Sequence, residues 1–456
     1  MPVDLNNARP LDWDSATLDA DTKGMLNNLQ ANILRAHVRE HLSVLFVRFN
    51  DVKEGRRFLR ELAETKVKTA RRHLEEVRDF ARNARPGTPY VGIGISKAGY
   101  RDLGHSVEEV RKFADPVFRD GMKRRVAVVD DPPVDQWEKP YQREIHAVIV
   151  IGDARPGPVA ALREEILGDL PESARLLGEE TGRGLHNDAG DGIEHFGYVD
   201  GRSQPLFVKD EVDREPKEHW NPAFPLSNIL VADPFAPNRN RHFGSYFVFR
   251  KLEQDVRAFH EIERNLADEL GLVGADRDRA GAMLIGRFRD GTPLTSKPKA
   301  SGGPVSNDFN FDADTGSKCP FSGHVRKTNP RSFGREVLMA RRGQTYGERT
   351  DDPTDDSPPE NRPSSGVGLL FMAFNARLID QFEFTQQSWA NNPDFQNPGT
   401  GHDAVIGQGT RSLKVTFPKV WGKPEMSPAQ PQVAQTVTMK GGEYFFMPSL
   451  AYLNNL

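Results

Sequence analysis

The order of apolar runs predicts an α+β protein made of two fused ferredoxin-like units. Three observations carry this reading. Over residues 25–190, strand-like and helix-like runs follow one another as strand–helix–strand, strand–helix–strand. The same order returns over residues 191–456, without repeated sequence letters. One run, residues 145–152 (IHAVIVIG), is apolar almost throughout, as expected of a central strand covered on both faces.

Residues 1–24 are acidic and proline-containing, and read as an irregular lead-in. Residues 25–34 have helical spacing at Met25, Leu26, Leu29 and Leu34. A strand follows at 42–50 (LSVLFVRFN), a helix at 53–66 and a strand at 90–96 (YVGIGIS). A loop-rich stretch with Pro132, Pro133 and Pro140 leads into the strand at 145–152, then a helix at 158–167 and a strand at 174–180. In the second half, 245–250 (SYFVFR) is a strand and 252–270 a helix with Val256, Phe259, Ile262 and Leu266 on one face. Strands at 336–341 and 368–374 (GLLFMAF), a helix at 376–389 and a strand at 443–447 (EYFFM) complete the set. Gly/Pro/Asp-rich insertions at 292–330 and 349–366 interrupt this half, and loops of such length tend to form sites.

Composition narrows the classes. The chain has 456 residues, 37% hydrophobic and 28% charged with 27 Phe, enough for a large folded core. A net charge of −4 gives no overall drive toward nucleic acid or an anionic membrane. With the single cysteine Cys319, no intrachain disulfide can form. The N-terminus lacks the basic-then-apolar order of a signal peptide, and no apolar run reaches the roughly 18 residues of a span, so a cytoplasmic location is expected.

The sharpest chemistry lies in residues 319–331 (CPFSGHVRKTNPR). His324 offers a neutral imidazole suited to iron or zinc. Gly323 allows a flat ligand close to the backbone, and Arg326, Lys327 and Arg331 could meet its anionic groups. A basic, solvated loop is the plainer reading. Arg341 ends a predicted strand just before Gly343, where a guanidinium can stabilise developing negative charge; a rim ion pair is the commoner use. Residues 196–201 (FGYVDG) present one carboxylate, Asp200, between glycines; it could carry protons or simply form an Asp-Gly turn. His37, Glu40 and His41 match H-x-x-E-H, but a strand begins at once and no further ligand can be named. Residues 308–316 fail the calcium-loop register, no phosphate loop is present, and Cys319 lacks the setting of a thiolate ligand.

Taken together, these pieces resemble the dye-decolourising (DyP-type) haem peroxidases over nearly the whole chain. The resemblance rests on 197–201 (GYVDG) continuing as Arg202-Ser203-Gln204-Pro205, on 319–331, and on Arg341-Arg342-Gly343. Smaller matches lie at 29–34 (LQANIL), at 145–148 before Gly152-Asp153, and at 445–448 (FFMP). It implies a dimeric α+β barrel-like fold in which the second half holds most of one haem b per chain. His324 would ligate the iron, Asp200 act as acid–base and Arg341 as the cation beside it. Leu369 and Phe371, alternate on one strand, would line the pocket, and Arg326 would pair with a propionate. In 401–407 (GHDAVIG), Asp403 would fix the tautomer of His324, with Asp394 as its rival; Ala404 stands where many relatives carry proline. Trp389 resembles a surface position that oxidises bulky substrates, although a helix-end aromatic packed on the core is an equal reading. The implied activity is oxidation of aromatic dyes and phenolic reductants by hydrogen peroxide, at acidic pH, without nucleic-acid or membrane partners; an oligomer stays open. The alternative is a haem-handling protein with incidental peroxidase activity.

Overall fold

Eight strands carry the architecture. The computed structural model describes residues 2–303, 305–409, 415–423 and 433–456. Its main strands are β1 (His41–Arg48), β2 (Tyr90–Ser96), β3 (Ala147–Asp153), β4 (Arg175–Arg183), β5 (Phe243–Gln254), β6 (Gln344–Tyr346), β7 (Gly368–Asn375) and β8 (Val437–Met447). All pair antiparallel, in the order β6–β7–β5–β8–β2–β3–β1–β4. Each set of four therefore has one order: second, third, first, fourth. Two seams join the sets. At one, Phe445 and Phe446 of β8 lie opposite Ser96 and Ile95 of β2. At the other, Thr345 Oγ1 on β6 donates to the Arg183 carbonyl at the end of β4, so the sheet curls round on itself.

Apolar content explains the coverage. Every residue of β2 and β3 is buried, which requires cover on both faces. Helices α1 (Ala20–Asn28), α2 (Val52–Thr65), α3 (Ala70–Asn83) and α4 (Pro156–Gly168) belong to the first set, and α4 packs on β1 and β3. In the second set α5 (Val256–Glu269) packs on α6 (Asp278–Ile285). These two helices carry a separate apolar cluster that includes Phe196, Phe259, Met283 and Cys319. It forms the floor beneath the long loops.

Several sequence expectations are corrected, each for a local reason. The helix expected from 252 starts at Val256. Leu252 stays in β5, paired with Leu369 and Met439, and Asp255 caps the helix by accepting the Ala258 N–H at 2.9 Å. The helix expected at 25–34 lies earlier, at α1, because Asp19 caps it and Leu29 is already extended. The strand expected at 336–341 shrinks to Ala340–Arg341. Residues Arg335–Val337 form a 3-10 turn, and the Leu338 carbonyl is taken by the amides of Asn228 and Gln381 instead of a ladder. The helix expected at 376–389 is present but widened: Glu383 N–H bonds to the Leu378 carbonyl and Asn391 N–H to that of Gln386, each five residues back. Charged α3 had no sequence signal strong enough to place it.

A buried ion pair crosses between the sets. Arg250 of β5 donates from Nη1 to Asp131 Oδ2 at 2.8 Å, and both side chains are buried. Removing one partner strands the other charge in a dry interior. Asp131→Ala is expected to lower unfolding stability by about 3–5 kcal/mol, read from the denaturant midpoint; a change under about 1 kcal/mol would show the pair to be dispensable.

Candidate active site

The long loops and the strand ends of the second set enclose a cavity of about 330 Å³. His324, Asp200, Arg341, Leu369 and Phe371 all line it. Its walls are built from two kinds of local structure.

On one side, a short helix α7 (His324–Thr328) begins directly after Gly323. The His324 ring is held through Nδ1, 3.0 Å from Asp403 Oδ2 and 3.2 Å from Oδ1. Asp403 is fully buried; its Oδ1 also accepts the N–H groups of Val405 (2.8 Å) and Ile406 (2.9 Å). Its own N–H donates to the Ala390 carbonyl at 2.8 Å, at the end of the widened helix. Burial opposes charge on His324, but the Asp403 carboxylate and its hydrogen bond outweigh that and raise the imidazole pKa. The reverse balance holds on Asp403: burial pushes up, His324 and two backbone N–H groups pull further down, and the net shift is downward. Nδ1 is thus fixed as a donor, which leaves Nε2 as the ring nitrogen available to a ligand in the cavity. Asp394 is not bonded to His324; it caps its own loop by accepting the Gly399 N–H at 2.8 Å.

On the other side, a tight loop presents Asp200. Gly197 has φ 88°, and a Cβ there would also sit 2.5 Å from the Pro353 carbonyl oxygen, so only glycine fits. Asp200 is exposed, and its N–H is tied to the Gly192 carbonyl at 3.0 Å. Arg341 leans on the same loop: Nη2 donates to the Arg202 carbonyl at 2.8 Å, and its N–H donates to Gln204 Oε1 at 3.0 Å. Leu369 and Phe371, alternate on β7, turn one face to the cavity.

Two expected residues lie elsewhere. Arg326 does not line the cavity: it ion-pairs with Asp314 at 3.2 Å and donates to the Cys319 carbonyl at 2.6 Å. Two residues along a helix is a turn of about 200°, so Arg326 points away from the face His324 uses. Trp389 is 3% exposed, not a surface residue. It stacks on Phe395 at 5.2 Å and meets Phe384 edge-on at 5.7 Å, and Phe333 and Phe384 take the exposed positions.

Sequence reasoning missed Arg287. Its buried guanidinium lines the cavity and donates to Ser203 Oγ (2.9 Å), Asn307 Oδ1 (2.8 Å) and the Gly291 carbonyl (2.8 Å). Arg331 shares Ser203 Oγ and Asn307 Oδ1 from the other side. Neither has a carboxylate in ion-pair range among the described residues, and burial lowers their pKa values to about 9 and about 8. The signal available was Arg331 itself, in a cation-rich loop; nothing local marks Arg287. Cys319 is buried and its thiol is pushed up to about 12 by burial, so it is inert. His37 accepts a hydrogen bond from Lys68 at 3.1 Å, and no group of three or more His, Cys, Asp or Glu among the described residues is arranged to hold a metal ion.

The donor set fits a flat, anionic, iron-bearing group. One imidazole nitrogen is free, two buried cations lack an anion, and apolar side chains cover a strand face.

Comparison with known proteins gives the family. A family model for the DyP dimeric alpha+beta barrel domain matches residues 28–183. The multifunctional dye peroxidase DyP2 of an Amycolatopsis species is 54% identical over 475 aligned residues, covering 100% of both chains. A dye-decolorizing peroxidase of Auricularia auricula-judae is 32% identical over 79% of this chain and 74% of its own. The solved structure of the Amycolatopsis protein matches with a TM-score of 0.95 at 52% identity, over 100% of both chains. That of an Anabaena DyP-type peroxidase matches with a TM-score of 0.90 at 35% identity, over 99% and 98% of the two chains. No helix among the described residues is long and apolar enough to cross a membrane. The chain belongs to the dye-decolourising peroxidase family and is a DyP-type peroxidase.

Proposed function

We propose that the cavity binds one haem b per chain, held mainly by residues from 191 onward, and that the enzyme uses hydrogen peroxide to oxidise aromatic dyes and phenols in one-electron steps. The observation that carries this is the Asp403-anchored His324 on the same cavity as Asp200 and Arg341. When bound, haem supplies the redox centre that takes two electrons to peroxide and recovers them singly from reductants.

The chain's own residues have separable tasks. His324 would hold the iron through Nε2, while Asp403 fixes its tautomer and raises its basicity. Asp200 accepts a proton from one peroxide oxygen and returns it to the other. Arg341, its guanidinium braced on the Arg202 carbonyl, holds the negative charge that develops as the O–O bond breaks. Arg287, with Arg331 behind it, would meet the cofactor's anionic groups, a task for which Arg326 lies outside the cavity. Leu369 and Phe371 keep bulk water from the reacting oxygens.

His324→Ala is expected to abolish the Soret band of the reconstituted protein; a variant that keeps full haem absorbance would refute the ligand assignment. Asp200→Asn and Arg341→Leu should each keep the Soret band and lower kcat/KM for peroxide by roughly 10²- to 10⁴-fold, measured by stopped flow. Trp389 is assigned to electron entry from bulky dyes through its Phe333 and Phe384 cover. Trp389→Phe should then reduce turnover of a large anthraquinone dye several-fold more than that of a small phenol. Equal losses on both would rule that role out.

A further inference from the structure

A second carboxylate, Glu194, lines the cavity with Asp200 and has no part in the mechanism above. It sits deep in the wall, with part of its surface open to the cavity. Its position is built, not incidental. Its carboxylate accepts the N–H groups of Phe196 at 2.8 Å and Tyr198 at 3.0 Å. Its backbone closes the same loop: Glu194 N–H donates to the Tyr198 carbonyl at 3.0 Å, and Gly197 N–H donates back at 2.9 Å. The loop that ends in Asp200 is therefore wound around this one carboxylate.

Across from it stands Gln254, the last residue of β5. Its Nε2 donates to Glu194 Oε2 at 2.6 Å, whereas its Oε1 is buried with no partner. An amide placed so serves an ionised carboxylate in one orientation. Turned over, it offers Oε1 as the acceptor that a protonated carboxyl needs.

We propose that Glu194 is a positioning residue for Asp200, tying the loop that presents it and, by gaining or losing a proton against Gln254, setting the upper edge of the pH range in which Asp200 works. The proposal rests on Asp200 being the proton-carrying group. With Glu194 neutral, the wall carries the single negative charge that accepts the peroxide proton. Once Glu194 ionises, a second negative charge opposes the one that develops on peroxide, and the reaction slows. The groups acting on Glu194 electrostatically are Asp200 and Tyr198 on its own loop and Arg289 just beyond α6, with neutral Gln254 from β5. Burial raises the Glu194 pKa most, three hydrogen bonds oppose this, and the Asp200 charge adds to the rise, leaving it at about 7.

The test follows the bimolecular reaction of the haem-loaded enzyme with peroxide across pH. Wild type should lose rate on passing pH about 7. Relative to its own acid-side rate, Glu194→Gln should lose that neutral-side fall, or move it upward by about one unit or more. Gln254→Met, which leaves both backbone hydrogen bonds in place, should also move the fall upward, because the charge-assisted bond to the ionised carboxylate is stronger than the one Oε1 offers the protonated form. Infrared titration of the wild type should show a protonated carboxyl persisting to near neutrality and absent in Glu194→Gln. A neutral-side fall unchanged in both variants, or a carboxyl that titrates in the ordinary glutamate range, would overturn the proposal. Asp200→Asn is the separate control: wild-type peroxide reactivity there sinks the reading of Asp200 itself, whatever Glu194 does.

Discussion

Buried cations that find backbone carbonyls instead of carboxylates shape this site. Arg342 donates to the carbonyls of Asn32 and Ile33, each at 2.9 Å or less. Arg331 takes the Asn307 and Phe309 carbonyls, and Lys327 those of Asn392 and Gly401. A guanidinium or ammonium left bare in such surroundings would cost several kcal/mol. Carbonyls committed to cations are unavailable to a helix or a ladder. The segments around the cavity are therefore irregular yet fixed, each wound about its own cation. The loops at 307–309 and 392–401 are structure of this kind.

The same logic links the His324 wall to the rest of the chain. Asp403 can fix the imidazole only because its own N–H is held by Ala390, and Ala390 ends a helix whose bonds reach five residues back. That widening shifts the carbonyls of the last turn relative to an ordinary helix, and Asn391 and Gln408 then knit the following loop to it. On the opposite wall, Arg342 lies next to Arg341 in sequence and locks the strand end to residues 32 and 33. The first set of strands thus supports the catalytic wall without contributing its principal groups.

What the sequence made legible follows from where the information is local. Strands β2, β3 and β7 were readable because apolar runs bounded by turn residues have few other uses. His324, Asp200 and Arg341 stood out because each sits beside glycines or at a strand end, and the resemblance tied the three together. Arg326 was misplaced because a basic residue near a ligand looks like a partner until helix geometry turns it away. Arg287 and Glu194 were silent: their meaning lies in Ser203, Asn307 and Gln254, which are remote in sequence. The helix expected to begin at 252 failed because Leu252 has helical spacing and strand neighbours alike, and pairing with β7 and β8 decides between them.

The last strand of the sheet in chain order, β8, is the one that sits between β5 and β2. Until it pairs, β2 offers an open hydrogen-bonding edge, and the two sets are joined by the seam at β4 and β6 and by side-chain contacts such as Phe46 with Phe249. The ring is thus closed by contacts spanning more than three hundred residues, as in the pairing of Phe446 with Ile95. Such distant closure makes for slow assembly and a nascent chain whose exposed edge invites mispairing. Closing the ring accordingly asks β8 to find β5 and β2 together, a demand set by the strand order more than by the strength of any single contact in the finished molecule.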